Sequence, residues 1–457
     1  MIFKRKHYDF DLIVIGSGAG GSVGAHYARS LGKKVAVFEK GAIGGECPNF
    51  ACVPTKALLY AAGVLETIKN SKAFGIETKD VSVNHQLLHE WKNLVVSRTG
   101  SIHGEEAFQK DGIHLIREEA RFVSAHEVEA GGKIYSGNKF LLATGSNTYI
   151  PSVTGLSETG YITFKEAVDL KKFPKSLLIF GGGAIGCEFA QIFASFGTKV
   201  TLVNRSERIL SKEDSEVSEL ATALFENAGI IVLSNTSLVK AEKKGTRKVV
   251  HMQKGNKEFF EQIDEILVAT GKVPVLDFMP EKAGIKVENS HLHTNHYLQT
   301  NVPHIYAAGD LVGPYLFTHS AEYQGYLAVH NAFSYEKTRA DYSAIARCVF
   351  ISPEVAAVGL TEREAREKGI RIKKGIAPIA VVGRANTSNE FDGFVKVITD
   401  KKGVIIGASI FAPHAGEMIH ELSLAIKLRV KASYIAEMIH AYPTYSEAIK
   451  IACNSIK

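Results

Sequence analysis

The feature that most constrains this chain is a glycine-rich turn that occurs twice in the same setting. Gly16-Ser17-Gly18-Ala19-Gly20-Gly21 follows the apolar run Asp11 to Ile15 and precedes a helical pattern over Ser22 to Leu31. Gly181-Gly182-Gly183-Ala184-Ile185-Gly186 follows Ser176 to Phe180 and precedes a helical pattern over Cys187 to Phe196. Each unit is closed by a second strand, Lys34 to Glu39 and Lys199 to Val203. A lone GxGxxG is weak evidence, but between a strand and a helix it brings backbone N–H groups to a helix N-terminus, where a pyrophosphate can bind. Two mononucleotide-type units therefore lie in one chain.

The residues that close the two units differ. Glu39 ends the first and can bond an adenosine ribose, as a dinucleotide site requires. The second carries Asn204 and Arg205 at that place, with Arg208 close behind. A missing carboxylate beside guanidinium groups suits a 2′-phosphate, so NADPH is favoured, with NADH still open because Gly186 also suits NAD-type turns. Strands ending in Ala143-Thr144-Gly145 and Ala269-Thr270-Gly271 accompany the units, and Pro151 and Pro274 follow where the chain can change domain. Ile305 to Asp310 reads as a buried strand ending in a carboxylate, and from about Ala344 the pattern becomes α+β without a glycine turn.

At 457 residues the chain has room for about three domains. Its 45% hydrophobic and 22% charged residues exclude disordered, collagen-like and coiled-coil chains. The formal charge of +6 is spread along the sequence, which argues against a nucleic-acid footprint. No apolar run approaches the roughly 18–20 residues that span a bilayer. Lys4-Arg5-Lys6 before an apolar stretch resembles an export signal, but Asp9 and Asp11 interrupt it and no cleavage site follows. The five cysteines (Cys47, Cys52, Cys187, Cys348, Cys453) are too few and too odd in number for a secreted disulfide framework, so the expected location is the cytoplasm.

Two of these cysteines stand out. In Gly44-Gly45-Glu46-Cys47-Pro48-Asn49-Phe50-Ala51-Cys52-Val53-Pro54-Thr55-Lys56 the pair is spaced to reach across one helical turn and form a reducible disulfide. Zinc would need further ligands at suitable spacing, and none are nearby. Two buried structural thiols remain the bland reading. Cys187 and Cys348 read as small core residues, and Cys453 as an incidental terminal cysteine or a residual thiol ligand.

In the order of these motifs the chain resembles the class I flavoprotein pyridine nucleotide–disulfide oxidoreductases, the family of dihydrolipoamide dehydrogenase, glutathione reductase and mercuric reductase. The resemblance takes in the first glycine turn with Glu39, the GGxCxNxxCxPxK segment, the second turn followed by Glu188, Ala-Gly-Asp310 and both Ala-Thr-Gly ends. It extends to Gly393–Asp400, His414, His420 and Pro443-Thr444-Tyr445-Ser446-Glu447. It implies an α/β chain with two Rossmann-like dinucleotide-binding domains and a C-terminal α+β dimerisation domain. The corresponding ranges are 1–150 with 275–340 for FAD, 151–274 for NAD(P)H and 341–457 for the interface.

The resemblance also implies roles. FAD would lie on Gly16, Gly18 and Gly21 with Glu39 on its ribose. Ala120, Thr144, Gly145 and Thr318 would line its site, and Asp310 would bond its ribityl chain. The nucleotide would use Gly181, Gly183, Gly186, Asn204, Arg205 and Gly271. Cys52 would be the flavin-side thiol, forming a charge-transfer pair as thiolate, and Cys47 the interchange thiol. Lys56, paired with Glu188, would sit near the flavin N5. The assembly would be a homodimer, with the redox helix of one subunit facing the C-terminal loop of the other.

One position breaks the pattern. Disulfide-reducing members of the family carry a histidine before the C-terminal Pro-Thr, oriented by a glutamate. Here Glu447 is present, but Tyr442 takes the histidine's place. A phenol with an ordinary pKa near 10 is a poor proton shuttle at neutral pH. Three readings follow. Tyr442 serves a reaction without such a shuttle, such as reduction of a thiol-bound metal ion, and mercuric reductases also place a tyrosine here. Alternatively His440, two residues upstream, replaces the missing base through a shifted loop, although in an extended segment residues two apart share a face but sit roughly 6–7 Å from each other. Or Tyr442 only packs at an interface and disulfide reduction is slow. Against the mercuric reading, the chain has a lone Cys453 where that group ends in Cys-Cys. The expected reaction passes electrons from NADPH through FAD and the Cys47–Cys52 disulfide to a metal ion or other soft electrophile. The alternative is a dihydrolipoamide dehydrogenase or small-disulfide reductase, alone or as a component of a multienzyme complex.

Overall fold

A computed structural model describes residues 7–457, apart from the side chains of 101–103. The Lys4-Arg5-Lys6 run lies outside the described residues. The chain divides into two compact units: Met1–Ala57 with His89–Tyr149 and Lys272–Ala340, and Leu58–Leu88 with Ile150–Gly271 and Asp341–Lys457.

In the first unit a parallel sheet runs in the order His114–Ile116, Val35–Phe38, Phe10–Ile15, Lys133–Leu142, with Ile305–Ala307 beside the last. Leu12, Ile13 and Val14 have no exposed surface, as expected for an all-apolar strand covered on both faces. The strand Lys133–Leu142 serves two layers: its later residues join the parallel sheet, while its first four pair antiparallel with Glu127–Ala130. The helices Ala19–Ser30 and Thr318–Phe333 pack closely because neither has a side chain at the crossing. A Cβ on Gly325 would stand 2.0 Å from the Gly20 carbonyl oxygen.

The second unit contains a four-stranded parallel sheet in the order Ile231–Leu233, Lys199–Val203, Ser176–Phe180, Glu265–Val268. It also holds an antiparallel three-stranded sheet, Ser237–Lys244, Arg247–Lys254 and Lys257–Ile263. The α+β part is a five-stranded antiparallel sheet in the order Ala346–Val349, Glu354–Gly359, Ile405–Ala412, Phe394–Asp400, Ile372–Pro378. Helices Ala415–Lys427 and Glu447–Asn454 cover it through Met418, Ile419, Leu422, Ile449 and Ala452.

The two glycine turns are built alike. Gly16 and Gly181 have φ of +99° and +126°, and a Cβ at either would lie 2.3 and 2.2 Å from the carbonyl oxygens of Ala143 and Ala269. The Ala-Thr-Gly ends are thus the strand ends that press on each first glycine. The helices start at Ala19 and Ala184, earlier than the apolar pattern implies, because Gly18 and Gly183 cap them and the third glycines lie inside the first turn. The strand at 305 ends at Ala307, and Asp310 sits on the short 3-10 turn Gly309–Leu311. Helical residues over Glu46–Phe74, with a mean hydropathy of 1.2 in their most apolar window, reach the length and composition of a membrane-crossing helix. Lys56 interrupts this stretch, so it is no continuous apolar run, and by length and composition alone it is weak evidence of a membrane span.

Candidate active site

At the first turn, Ser17 is fully buried and binds Glu39 twice, its N–H and Oγ donating to Oε2 at 2.9 and 2.8 Å. The other oxygen, Oε1, accepts from the Gly41 N–H at 2.7 Å. Glu39 therefore ties the turn to the end of its neighbouring strand and is held facing the helix N-terminus. The chain then passes back over the turn: the Gly44 N–H donates to Ser17 Oγ at 3.2 Å. Gly45 has φ +73°, and a Cβ there would lie 2.8 Å from Gly18 Cα. Two glycine backbones keep side chains away from the N-terminus of Ala19–Ser30, a cradle that a dinucleotide such as FAD fits.

Cys47 and Cys52 do not share one helical turn. Cys47 lies in the short helix Glu46–Asn49, the chain breaks at Phe50 (φ −136°), and Cys52 opens the helix Cys52–Asn70. The Asn49 side chain holds this break by donating from Nδ2 to the carbonyls of Ile43 and Gly45 at 2.9 and 2.8 Å. Both side chains are half-buried and are not joined in a disulfide. Cys52 Sγ lies 3.4 Å from Thr318 Oγ1, at the first residue of Thr318–Phe333, where the helix N-terminus favours an anionic sulfur. The Cys47 thiol is pushed up, first by its hydrogen bond with Cys52 and then by burial, against the opposing influence of Thr318 and Lys56. Lys56 follows Cys52 by one helical turn.

Asp310 accepts from Ser146 Oγ at 2.6 Å, and its neighbour Gly309 is fixed by an N–H to Gln324 Oε1 bond of 2.7 Å. Thr144 Oγ1 donates to the Val275 carbonyl at 2.8 Å, Gly145 has φ +72°, and Ala120 is buried. Glu46, Lys272, Ser146 and Gln324 belong to this network and were not singled out from the sequence. Glu46 and Lys272 adjoin Cys47 and Gly271, so motif adjacency was the available signal.

In the second unit Glu188 is 5% exposed and its Oε1 accepts from the Phe350 N–H at 3.0 Å. Lys56 falls in the first unit and Glu188 in the second. Gly183 caps the helix Ala184–Ser195, and Gly271 has φ +127°. Asn204 is buried and donates from Nδ2 to the Ser206 and Arg208 carbonyls at 3.1 and 2.8 Å, shaping the loop over the turn. Arg205 on that loop is exposed and Arg208 half-buried.

The C-terminal segment gives the two alternative residues different surroundings. Tyr442 is 78% exposed, whereas the His440 side chain is 7% exposed with Nε2 3.2 Å from Glu421 Oε1. They do not share a face, because the chain before Pro443 forms bends and no strand. Glu447 Oε2 accepts from the Thr444 N–H at 3.1 Å. Cys453 lies in the core of the C-terminal part, its thiol pushed up to about 12 by burial and then by Glu421, which removes it as a ready thiolate ligand. Cys187 is a core thiol as read from the sequence, while Cys348 is only half-buried at the core's edge, near Gly416. Among the described residues no group of three His, Cys, Asp or Glu could hold a metal ion.

Comparison with known proteins agrees with this layout. Residues 10–333 match the pyridine nucleotide-disulphide oxidoreductase family model and 345–453 its dimerisation domain. A mercuric reductase of Bacillus cereus is 34% identical over 98% of this chain and 71% of its own length. A dihydrolipoyl dehydrogenase of Bacillus subtilis is 36% identical over 96% of this chain and 94% of its own. The solved structure of the HOCl-induced flavoprotein disulfide reductase RclA from Escherichia coli superposes with a TM-score of 0.87 at 26% identity, covering 97% and 99% of the two chains. The chain belongs to the pyridine nucleotide-disulphide oxidoreductases, enzymes that use FAD and a pyridine nucleotide, and it carries the domain through which they form homodimers.

Proposed function

We propose that this enzyme oxidises NADPH and, through FAD and the Cys47/Cys52 pair, reduces a soft electrophile of the thiol-bound metal-ion class, with Hg(II) as the first candidate. The observation that carries the reading is Tyr442, an exposed phenol where disulfide-reducing relatives need an imidazole. Reducing a disulfide requires a proton for each leaving thiolate, and a phenol near pKa 10 supplies it poorly at neutral pH. Reducing a bis-thiolate metal ion takes two electrons onto the metal, and the released thiols draw their protons from bulk water. One hydride from NADPH and one proton balance two electrons accepted and two thiols released.

When bound, FAD accepts hydride from the nicotinamide and delivers two electrons to sulfur. Gly16, Gly18 and Gly21 with Glu39 bind it, Asp310 orients its ribityl chain, and Ala120, Thr144, Gly145 and Thr318 line its site. Lys56 places positive charge near its ring. Cys52 is held as the anionic sulfur at a helix N-terminus, and Cys47 keeps the exchangeable proton and faces the acceptor. Gly181, Gly183, Gly186 and Gly271 receive the nucleotide, Asn204 shapes its loop and Arg205 presents a guanidinium to a 2′-phosphate. Tyr442 and Glu447 belong to the loop that meets the partner subunit's redox pair. Five cysteines, an odd number too few for a secreted disulfide framework, favour the cytoplasm.

His440 beside Glu421 at 3.2 Å favours a second reading, reduction of a small disulfide such as lipoamide, with an imidazole–carboxylate pair as the proton source. The test is NADPH and NADH oxidation by the FAD-loaded enzyme with Hg(II) plus excess thiol, and separately with lipoamide or glutathione disulfide. Fast turnover with the metal alone supports the proposal. Fast turnover with a disulfide that Tyr442→His leaves unchanged and His440→Gln abolishes replaces it with the second reading.

A further inference from the structure

The clearest charge network that these roles leave unused lies behind the redox pair. Lys272 stands on the strand Lys272–Pro274, which pairs antiparallel with Ser146–Thr148, Lys272 opposite Thr148 and Pro274 opposite Ser146. A Val275 N–H to Gly145 carbonyl bond of 3.0 Å continues the pairing. From this fixed backbone the Lys272 ammonium bonds Glu46, the residue before Cys47, and reaches Asp310 Oδ2 at 3.5 Å. The three side chains are 15%, 25% and 19% exposed. Burial works against the charge on Lys272, but the Glu46 and Asp310 carboxylates outweigh it and hold the ammonium's pKa above the ordinary lysine value.

We infer that Lys272 is a positioning residue that, through Glu46, fixes the Cys47 turn against the carboxylate of Asp310 and balances the negative charge beside the redox pair. Reduction of Cys47–Cys52 breaks one S–S bond, takes up two electrons and, with one sulfur left anionic, one proton. The reduced state therefore carries a negative charge that the oxidised state lacks, and fixed charges nearby shift the equilibrium with opposite signs. Without Lys272, the Glu46 carboxylate next to Cys47 loses this ammonium and the reduced state is disfavoured. Without the Glu46 charge, the ammonium has one carboxylate fewer and the reduced state is favoured. A part that merely packs the turn gives no such reversal of sign.

The inference rests on the redox pair of the proposed function, and its test needs no acceptor. The FAD-loaded enzyme is equilibrated in mixtures of reduced and oxidised dithiothreitol, and the free thiols of Cys47 and Cys52 are trapped by alkylation and counted by mass. Lys272→Met is expected to lower the equilibrium constant for reduction at least threefold, about 14 mV at about 30 mV per tenfold change. Glu46→Gln is expected to raise it by a similar factor, and Lys272→Arg to restore the wild-type value. Shifts of the same sign in Lys272→Met and Glu46→Gln, or no shift in either, overturn the inference while leaving the redox pair intact. Should Lys272→Met not fold, the sign for Glu46→Gln decides alone: a lowered or unchanged constant overturns the inference. A pair that never re-forms its disulfide in wild type sinks the proposed function, and this inference with it.

Discussion

Replacing Lys396 by methionine tests how the second unit is held together. Lys396 lies in the sheet strand Phe394–Asp400 with no exposed side-chain surface. Its ammonium meets Glu362 at 2.5 Å, Glu216 at 3.0 Å and Asp214 at 3.4 Å. Asp214 also anchors its surroundings by accepting from the Glu362 N–H at 3.0 Å and Ser409 Oγ at 2.8 Å. Removing Lys396 takes the buried ammonium from the Asp214 and Glu362 carboxylates, 3% and 12% exposed, and leaves Glu362 with Lys374 at 2.7 Å and Arg366 at 3.1 Å. Breaking one side of such a buried cluster costs about 3–5 kcal/mol. Glu216, a third exposed, contributes least because water screens it. At roughly 2–4 °C per kcal/mol for a domain of this class, the melting temperature at pH 7 should fall by at least about 6 °C.

The pH dependence supplies a second check. Burial raises the Glu362 carboxyl, but the Lys374 and Lys396 ammonium groups outweigh it and hold its pKa below the ordinary range. Glu216 is likewise raised by burial and lowered more by its own backbone N–H and Lys396. Depressed carboxylates contribute stability that is present above their unfolded pKa, near 4.3, and is lost as pH falls through the folded value. Burial lowers Lys396, and its carboxylate neighbours, Glu362 first, raise it further, so its share is full below about 10.4 and is lost as pH rises through the folded value. In Lys396→Met, Glu362 keeps Lys374 and Glu216 its own backbone N–H, but both lose the buried ammonium, so burial weighs more against their charge and the deficit should shrink between pH 7 and 5. Thermal melts of both proteins across that window measure it. A drop under 2 °C at pH 7, or a deficit unchanged at pH 5, refutes the reasoning.

Three further outcomes follow from the site. Arg205→Gln should raise KM for NADPH about tenfold, roughly 1.4 kcal/mol, and leave NADH nearly unchanged; equal effects on both nucleotides would remove Arg205 from 2′-phosphate recognition. Gly45→Ala forces a side chain onto φ +73° and against Gly18 Cα, at a cost of about 1–3 kcal/mol, so the purified protein should lose most of its flavin while its circular dichroism stays native. A full flavin-to-protein ratio would show that the turn yields. Cys453→Ala should cost roughly 1 kcal/mol in a denaturant melt and leave metal-dependent NADPH oxidation intact, because the thiol is 5% exposed and pushed up to about 12. Lost turnover in a folded protein would return Cys453 to the reaction.

The sequence by itself determined the parts that depend on local backbone chemistry. Strand, glycine turn and helix are written in consecutive residues, since only glycine tolerates φ +99° at Gly16 with Ala143 pressing on it. The redox segment is legible for the same reason, as Gly45, Asn49 and the cysteines lie within a few residues and the Asn49 side chain bonds the Ile43 and Gly45 carbonyls. What spacing alone misjudged were environments. His440 and Tyr442 are two residues apart, yet one is buried on Glu421 and the other faces solvent, because the bends before Pro443 break the two-residue alternation of a strand. The cysteine pair looked like one helical turn, but Asn49 and Phe50 break the helix between the thiols.

Long-range charge placement was decided only by the tertiary structure. Lys272 and Glu46 lie 226 positions apart, and Lys396 and Glu216 lie 180 apart. Nothing in a periodic pattern marks them, because a buried ion pair is defined by which strands the fold brings together and how far water is excluded there. The same lysine on an exposed strand would be an ordinary surface charge. In the fold it is a cation with no solvent to replace its carboxylates.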